Sequence, residues 1–305
     1  MHSNDMGKLA TQAALRTLTR GDVRLTYVVD GAMAFYPASF LPSVPAGHWE
    51  HGSSELDAAG RVPMSAGGLL VERDGRALLI DAGLGPIAGE NPMGAADSGS
   101  LLESLARAGK GPEDIDTVAF THLHADHTGW AFSPDAQGAG RPTFPRARYV
   151  LARQEWAPYG RGETVPGAPP NASLFATLSN QLVLMDDGEE IFPGVYGLVT
   201  PGHTAGHTSY IIHTGEDRVV VFGDAFHIPA QLAHPEWGSQ PDLIGAAVPT
   251  ARRTILSELE TPDTLGFAFH FGDQPFGRVE RDGDDMPVWR PVLSTVLAPS
   301  PRTLT

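Results

Sequence analysis

The sequence predicts a layered α/β fold built on two β-sheets. Short apolar runs of strand length dominate the chain, and helical stretches lie between them. No self-similarity at a period of roughly 20 to 50 residues announces a solenoid or propeller. With 305 residues, the chain can bury a large core without a disulfide or metal staple.

Residues 1–20 read as a helical extension, because Leu9, Ala13, Ala14, Leu15 and Leu18 recur at roughly helical spacing, and residues 21–305 read as the main domain. Segments 23–29, 68–72 and 77–80 read as strands. The last two are joined by Arg73-Asp74-Gly75-Arg76, whose Asp-Gly pair is a hairpin signal. Residues 35–63, rich in proline, glycine and aromatic side chains, suit a loop over a cleft. A helix over 101–108 ends at Gly109, with Pro112 beyond it, and an apolar strand follows at 117–120. Further strands are expected at 148–151, 183–185, 195–199, 209–213, 219–222 and 265–271, and helices at 154–156, 174–178 and 250–259.

Composition excludes several functions. The 21 basic residues against 36 acidic ones leave a net charge of -15, which opposes binding to nucleic acid. The chain has no cysteine, so thiol nucleophiles, thiolate metal sites and redox pairs are ruled out. No apolar run approaches a membrane span, and residues 1–20 lack the apolar centre of a secretion signal. Neither nucleic acid nor membrane is therefore expected as a partner, and the cytoplasm is the expected compartment.

The chemistry begins where strand 117–120 stops, in Thr121-His122-Leu123-His124-Ala125-Asp126-His127-Thr128-Gly129. His122 and His124 are two apart, so in an extended segment both rings project from one side and converge on one ion. Asp126 and His127 follow where the chain must turn, and adjacent side chains there diverge toward a second ion. Later strands end in further candidates: His203 in Thr200-Pro201-Gly202-His203, Asp224 in Phe222-Gly223-Asp224, and His270 in Phe269-His270. Five histidines and two aspartates fit a paired site. His122, His124 and His203 would take one ion, Asp126, His127 and His270 the other, with Asp224 bridging. Imidazole and carboxylate suit zinc, manganese, iron or cobalt, and zinc is the default among them.

His122-x-His124-x-Asp126-His127, together with Pro201-Gly202-His203-Thr204 and Phe222-Gly223-Asp224, resembles the metallo-β-lactamase superfamily over about residues 68–270. The resemblance implies an αββα sandwich of two mixed sheets flanked by helices, with the two-metal site at one edge of the facing sheets. It implies that Asp81 supports the site from behind. Within the superfamily, the spacing from Asp224 to His227 is most similar to methyl parathion hydrolase and the acyl-homoserine lactonases, many of which carry tyrosine where this chain has His227.

Two such ions lower the pKa of water toward about 7, so hydroxide between them can attack a carbonyl or phosphoryl carbon or phosphorus polarised by metal. The expected activity is hydrolysis of a small apolar ester or lactone. The alternatives are an organophosphate triesterase, a β-lactamase, or an oxygen-reducing di-iron protein. Asp126 is a candidate proton acceptor, and His227 a candidate hydrogen-bonding partner of the substrate or leaving oxygen. His207 reads as a supporting residue behind the ligands. His48, His51, His213 and His234 read as structural, and Asp282-Gly283-Asp284-Asp285 as a solvated turn. Phe35, Tyr36, Phe40, Trp49, Trp130, Phe132 and Phe226 are candidates for an apolar pocket wall. The expected partner is a small-molecule substrate, with a second copy of the chain as a further candidate.

Overall fold

A computed structural model describes residues 3–50, 53–134, 140–168, 178–215 and 217–304. Strands β1 (Ser3–Asp5), β2 (Leu15–Arg20) and β3 (Val23–Phe35) lead through one-turn helices α1 (Pro37–Phe40) and α2 (Ala46–Trp49) into β4 (Val62–Arg73) and β5 (Arg76–Ile80). A hairpin, β6 (Ala88–Asn91) with β7 (Gly94–Ser98), precedes helix α3 (Leu101–Arg107), strand β8 (Thr117–Ala119) and the short helix α4 (Ala125–Thr128). Next come the small pair β9 (Phe132–Pro134) and β10 (Gly140–Pro142), then β11 (Arg148–Ala152), α5 (Arg153–Gly160) and β12 (Leu182–Met185). The second half holds β13 (Glu190–Phe192), β14 (Val195–Val199), β15 (Thr208–His213), β16 (Arg218–Val221), α6 (Ala230–Ala233) and α7 (Val248–Leu259). It closes with β17 (Thr264–Phe267), β18 (Phe276–Arg281), β19 (Pro287–Pro291) and β20 (Ser294–Ala298).

Apart from the β9–β10 pair, these strands form two mixed sheets. One has the order β1-β20-β2-β3-β4-β5-β8-β11-β12, with β7 and β6 added alongside β3, and the other runs β13 through β19 in sequence order. Side-chain alternation along each strand builds the layers. Tyr27, Leu69, Leu78 and Ile80 from the first sheet meet Val195, Tyr210, Ile212, Val221 and Phe267 from the second in the central core. Val28, Leu70, Leu79 and Val118 point the other way, onto Leu101 and Leu105 of α3. Val220 and Phe222 do the same onto Ile255 and Leu259 of α7. The result is an αββα sandwich. Because both faces of the central strands are buried, they read in sequence as nearly continuous apolar runs.

The segment 15–20 overturns one expectation. It is not part of a helical extension but strand β2, hydrogen-bonded between β20 and β3 in the first sheet. Thr17 and Thr19 favour a pleated backbone, and ladders on both sides outweigh a weak helical spacing. Arg16, placed at the buried edge of this strand, is 1% exposed and pairs with Asp5 and Asp273. Strand 265–271 is also shorter than expected, since β17 ends at Phe267 and the chain turns before His270. Of the helix expected over 174–178, only Leu178 lies among the described residues, in a 3-10 turn. The Asp74-Gly75 hairpin joins β4 to β5, with both residues at positive φ (50° and 76°), as a type I′ turn requires. No described helix is long and apolar enough to cross a membrane.

Candidate metal centre

Five loops meet at one edge of the sandwich. They follow β5, β8, β14, β16 and β17, and bring Asp81, the 122–127 motif, His203, Asp224 and His270 together. Three sets of potential ligand atoms lie within 4.8 Å of one another: His122 with His124 and His203; Asp126 with His127, Asp224 and His270; and His203 with Asp224 and His227. Asp224 stands between the groups. Its Oδ1 is 3.0 Å from both His127 Nε2 and His270 Nε2. Its Oδ2 is 3.1 Å from His227 Nε2, 3.4 Å from His203 Nε2 and 3.9 Å from His122 Nε2.

Residues behind the rings decide which nitrogen faces inward. His127 Nδ1 lies 2.8 Å from Asp81 Oδ2, His203 Nδ1 lies 2.8 Å from Asp242 Oδ1, and His270 Nδ1 lies 3.2 Å from the Ser65 carbonyl. His122 Nδ1 lies 3.0 Å from Thr121 Oγ1, which donates in turn to Asp81 Oδ2. Each Nδ1 thereby has a partner behind its ring, and each Nε2 is turned into the cluster, where its lone pair would be free for a cation. Nε2 of His122 and of His127 is buried and makes no hydrogen bond. Unpaired, inward-facing imidazole nitrogens beside carboxylates are the donor set of a pair of borderline divalent cations, so these residues fit such a pair.

The protonation pattern agrees. Burial pushes His122 well below the ordinary imidazole value and His124 to about 4. Burial opposes charge on His127 as well, but Asp224, Asp126 and Asp81 outweigh it and raise that ring well above the ordinary value. Burial alone would raise Asp126 and Asp224, yet His127 holds both below the usual carboxylate range. The cluster thus concentrates negative charge where a cation would neutralise it.

A cleft of about 330 Å³ opens onto these groups. Met33, Phe35, Phe40, Met64, Leu84 and Met93 supply its apolar wall, while Asp126, Asp224, His227 and His270 stand at its base. No lysine or arginine lines it among the described residues. Phe35 and Phe40 stack at 4.4 Å, and Phe40 presses edge-on against the His227 ring at 5.2 Å. His227 is 1% exposed, and its backbone N–H donates to Gln231 Oε1.

The other sequence candidates separate clearly. His207 stands behind the cluster: it lies 3.0 Å from Thr200 Oγ1 through Nδ1 and accepts the Asp224 backbone N–H through Nε2. His48 pairs with Glu55, His213 is exposed, and His234 stacks on Trp237. His51 lies outside the described residues. Asp282 Oδ1 caps its own exposed turn. Of the aromatic candidates, Phe35 and Phe40 line the cleft, whereas Trp130 donates to Asp30 and Phe226 packs in the core beneath α7. Sequence reasoning missed Asp242 and also Glu155, a buried carboxylate that accepts from Leu123 N, Thr204 Oγ1 and Gly206 N and so fastens the two histidine loops together.

A family model described as the metallo-beta-lactamase superfamily matches residues 68–265. An N-acyl homoserine lactonase of Bacillus cereus is 28% identical over 123 residues, 40% of this chain and 42% of that protein. The lactonase AttM of Agrobacterium fabrum is 25% identical over 158 residues, 50% of this chain and 55% of that protein. The matched region thus spans about half the length of these curated relatives. Among solved structures, the dizinc quorum-quenching lactonase AidC superposes with a TM-score of 0.78 at 22% identity, covering 92% of this chain and 98% of that one. The hydrolase AbOPH superposes with a TM-score of 0.75 at 23% identity, again over 92% and 98%.

Proposed function

The chain belongs to the metallo-beta-lactamase superfamily, and from that premise we propose that it is a dinuclear metal-dependent hydrolase of small, neutral, apolar esters or lactones. The observation that carries the reading is Asp224, whose two oxygens are divided between two sets of inward-facing imidazoles. His122, His124 and His203 would hold one ion, Asp126, His127 and His270 the other, and zinc is the metal that the AidC structure favours. When bound, such a pair supplies Lewis acidity and lowers the pKa of water to near neutrality.

The chain's own residues do the rest. The apolar wall excludes water around an acyl group and orients it toward the base of the cleft. The absence of a lysine or arginine there among the described residues disfavours substrates that need a carboxylate anchored, such as β-lactams, and suits uncharged ones. The lactonase relatives and product-bound neighbours support an acyl lactone as the substrate class. His227 Nε2, beside Asp224 Oδ2, is placed to hold a substrate or leaving oxygen at the floor of the cleft. Asp126, the one partly exposed member of the cluster, is placed to accept a proton at its carboxylate.

Elemental analysis combined with a hydrolysis screen tests the reading. Two zinc or manganese ions per chain and turnover of lactones or aryl esters are expected. Protein that binds no transition metal, or that consumes oxygen with iron bound, would overturn it. Faster turnover of phosphotriesters than of any ester or lactone would move the assignment to triesterase.

A further inference from the structure

We propose that Arg252 is a positioning residue for the metal centre. It touches no candidate ligand, yet it fixes the Asp224–His227 segment through backbone carbonyls and sets its positive charge 3.8 Å from Asp242, the carboxylate behind the His203 ring. The proposal rests on reading the cluster as a dimetal site.

Arg252 lies on α7 and is 1% exposed. A guanidinium is costly to bury unless its donors are used. Here Nε donates to the Ala225 carbonyl at 2.6 Å, and Nη1 to the carbonyls of Trp237 at 2.6 Å and Pro235 at 3.1 Å. Its Nη2 makes no hydrogen bond and reaches Asp242 Oδ2 only as an ion pair at 3.8 Å. The planar fork therefore spans both ends of residues 225–242, which a compact ammonium cannot do from one position.

Each contact leads inward. Ala225 directly follows Asp224. The Trp237 carbonyl also accepts from Gln231 Nε2, whose Oε1 receives the backbone N–H groups of His227 and Ile228. Asp242 accepts the Ser239 N–H on Oδ2 and holds His203 Nδ1 on Oδ1. Just beyond it, Leu243 N and Ile244 N donate to the carbonyls of His203 and Gly202. One buried cation thus secures the segment that carries Asp224, His227 and Asp242, and it faces the carboxylate that orients His203.

The arrangement is asymmetric. His127 and His270 are supported by Asp81 and the Ser65 carbonyl, neither of which contacts Arg252. Loss of the guanidinium should therefore weaken the ion at His122, His124 and His203, by about 10- to 100-fold, more than its neighbour, which shares only Asp224 with the supported segment.

The test uses the full chain as wild type, Arg252→Gln, Arg252→Lys and Asp242→Asn. Zinc stoichiometry and chelator competition are read for each, together with the visible spectrum of the cobalt-substituted protein. The wild type should hold two ions. Arg252→Gln and Asp242→Asn should retain one tightly and bind the other about 10- to 100-fold more weakly, with Arg252→Lys between Gln and wild type. Wild-type affinity for both ions in Arg252→Gln would overturn the proposal, whatever Asp242→Asn does. So would parallel loss of both ions with Lys no better than Gln. If Arg252→Gln fails to fold, Arg252→Lys decides the matter, and wild-type affinity for both ions in that variant would overturn the proposal. Wild-type protein that binds no metal would instead overturn the dimetal reading, and that result is visible before any variant is made.

Discussion

Asp81 Oδ2 lies 2.8 Å from His127 Nδ1, and the same oxygen accepts the Thr121 hydroxyl at 2.8 Å. One carboxylate thereby sets the tautomer of two histidines, His127 directly and His122 through Thr121. Asp81 has φ 63°, a left-handed conformation that asparagine also tolerates. Asp81→Asn therefore preserves the backbone while turning an amide donor toward Thr121 and His127. To accept it, His127 must move its proton to Nε2, the nitrogen that faces Asp224. The expected outcome is a folded protein with metal affinity lower by about 10- to 100-fold, checked by chelator competition alongside circular dichroism.

Asp224→Ala removes the carboxylate shared by both groups of imidazoles. Loss of both metal ions and of all hydrolysis is expected, and elemental analysis of the purified variant checks it. Retention of wild-type turnover would contradict the assignment of the centre.

His227→Phe separates binding from chemistry. The first group of ligands keeps three histidines and the second keeps two histidines and two aspartates, so both ions should stay bound. Turnover should fall by roughly 100- to 1,000-fold, within the range of a lost positioned polar contact. Unchanged kcat and KM would return His227 to a structural role.

How legible this was in the sequence depended on locality. The 122–127 motif announced itself because its ligands are consecutive and follow an apolar strand. His203, Asp224 and His270 were legible because each lies just beyond a short, largely apolar strand. Asp242 and Glu155 were not. Each is a single acid in an irregular or helical stretch, and its partner is 39 residues away for Asp242 and 32 for Glu155 with Leu123. Met33, Met64 and Met93 were not singled out, because isolated methionines carry no pattern and only the β3–β4 pairing with the β6–β7 hairpin turns them into a cleft wall. Residues 15–20 misled because pairing on both edges overrides a spacing of few residues.

Glu155 fastens the loop after β8 to the loop after β14. Its Oε1 accepts Leu123 N at 3.0 Å, and its Oε2 accepts Thr204 Oγ1 at 2.7 Å and Gly206 N at 2.9 Å. Glu155→Gln leaves one side of the side chain as a donor facing donors. A loss of about 1 to 3 kcal/mol is expected, the cost of a buried unsatisfied group. Urea unfolding with metal held in excess checks it, since ligand binding would otherwise shift the midpoint.

The edge formed by β1, β20 and β2 gives a pH test remote from the metal centre. Arg16 holds Asp5 through a 2.5 Å contact to Oδ1, and this hydrogen bond keeps the Asp5 carboxyl below its ordinary value of 3.8. A carboxyl depressed in the fold contributes stability above its unfolded pKa and loses that contribution as pH falls through the folded value. Asp5 is half exposed, with 51% of its side chain accessible, so solvent screens the effect and the slope should be shallow. Asp5→Asn should lower the urea midpoint near pH 6 and leave it unchanged well below pH 3.8, where both forms are neutral at this position. Measuring midpoints for both proteins across that interval decides it: two parallel curves would show that Arg16 draws its partner charge from Asp273 alone.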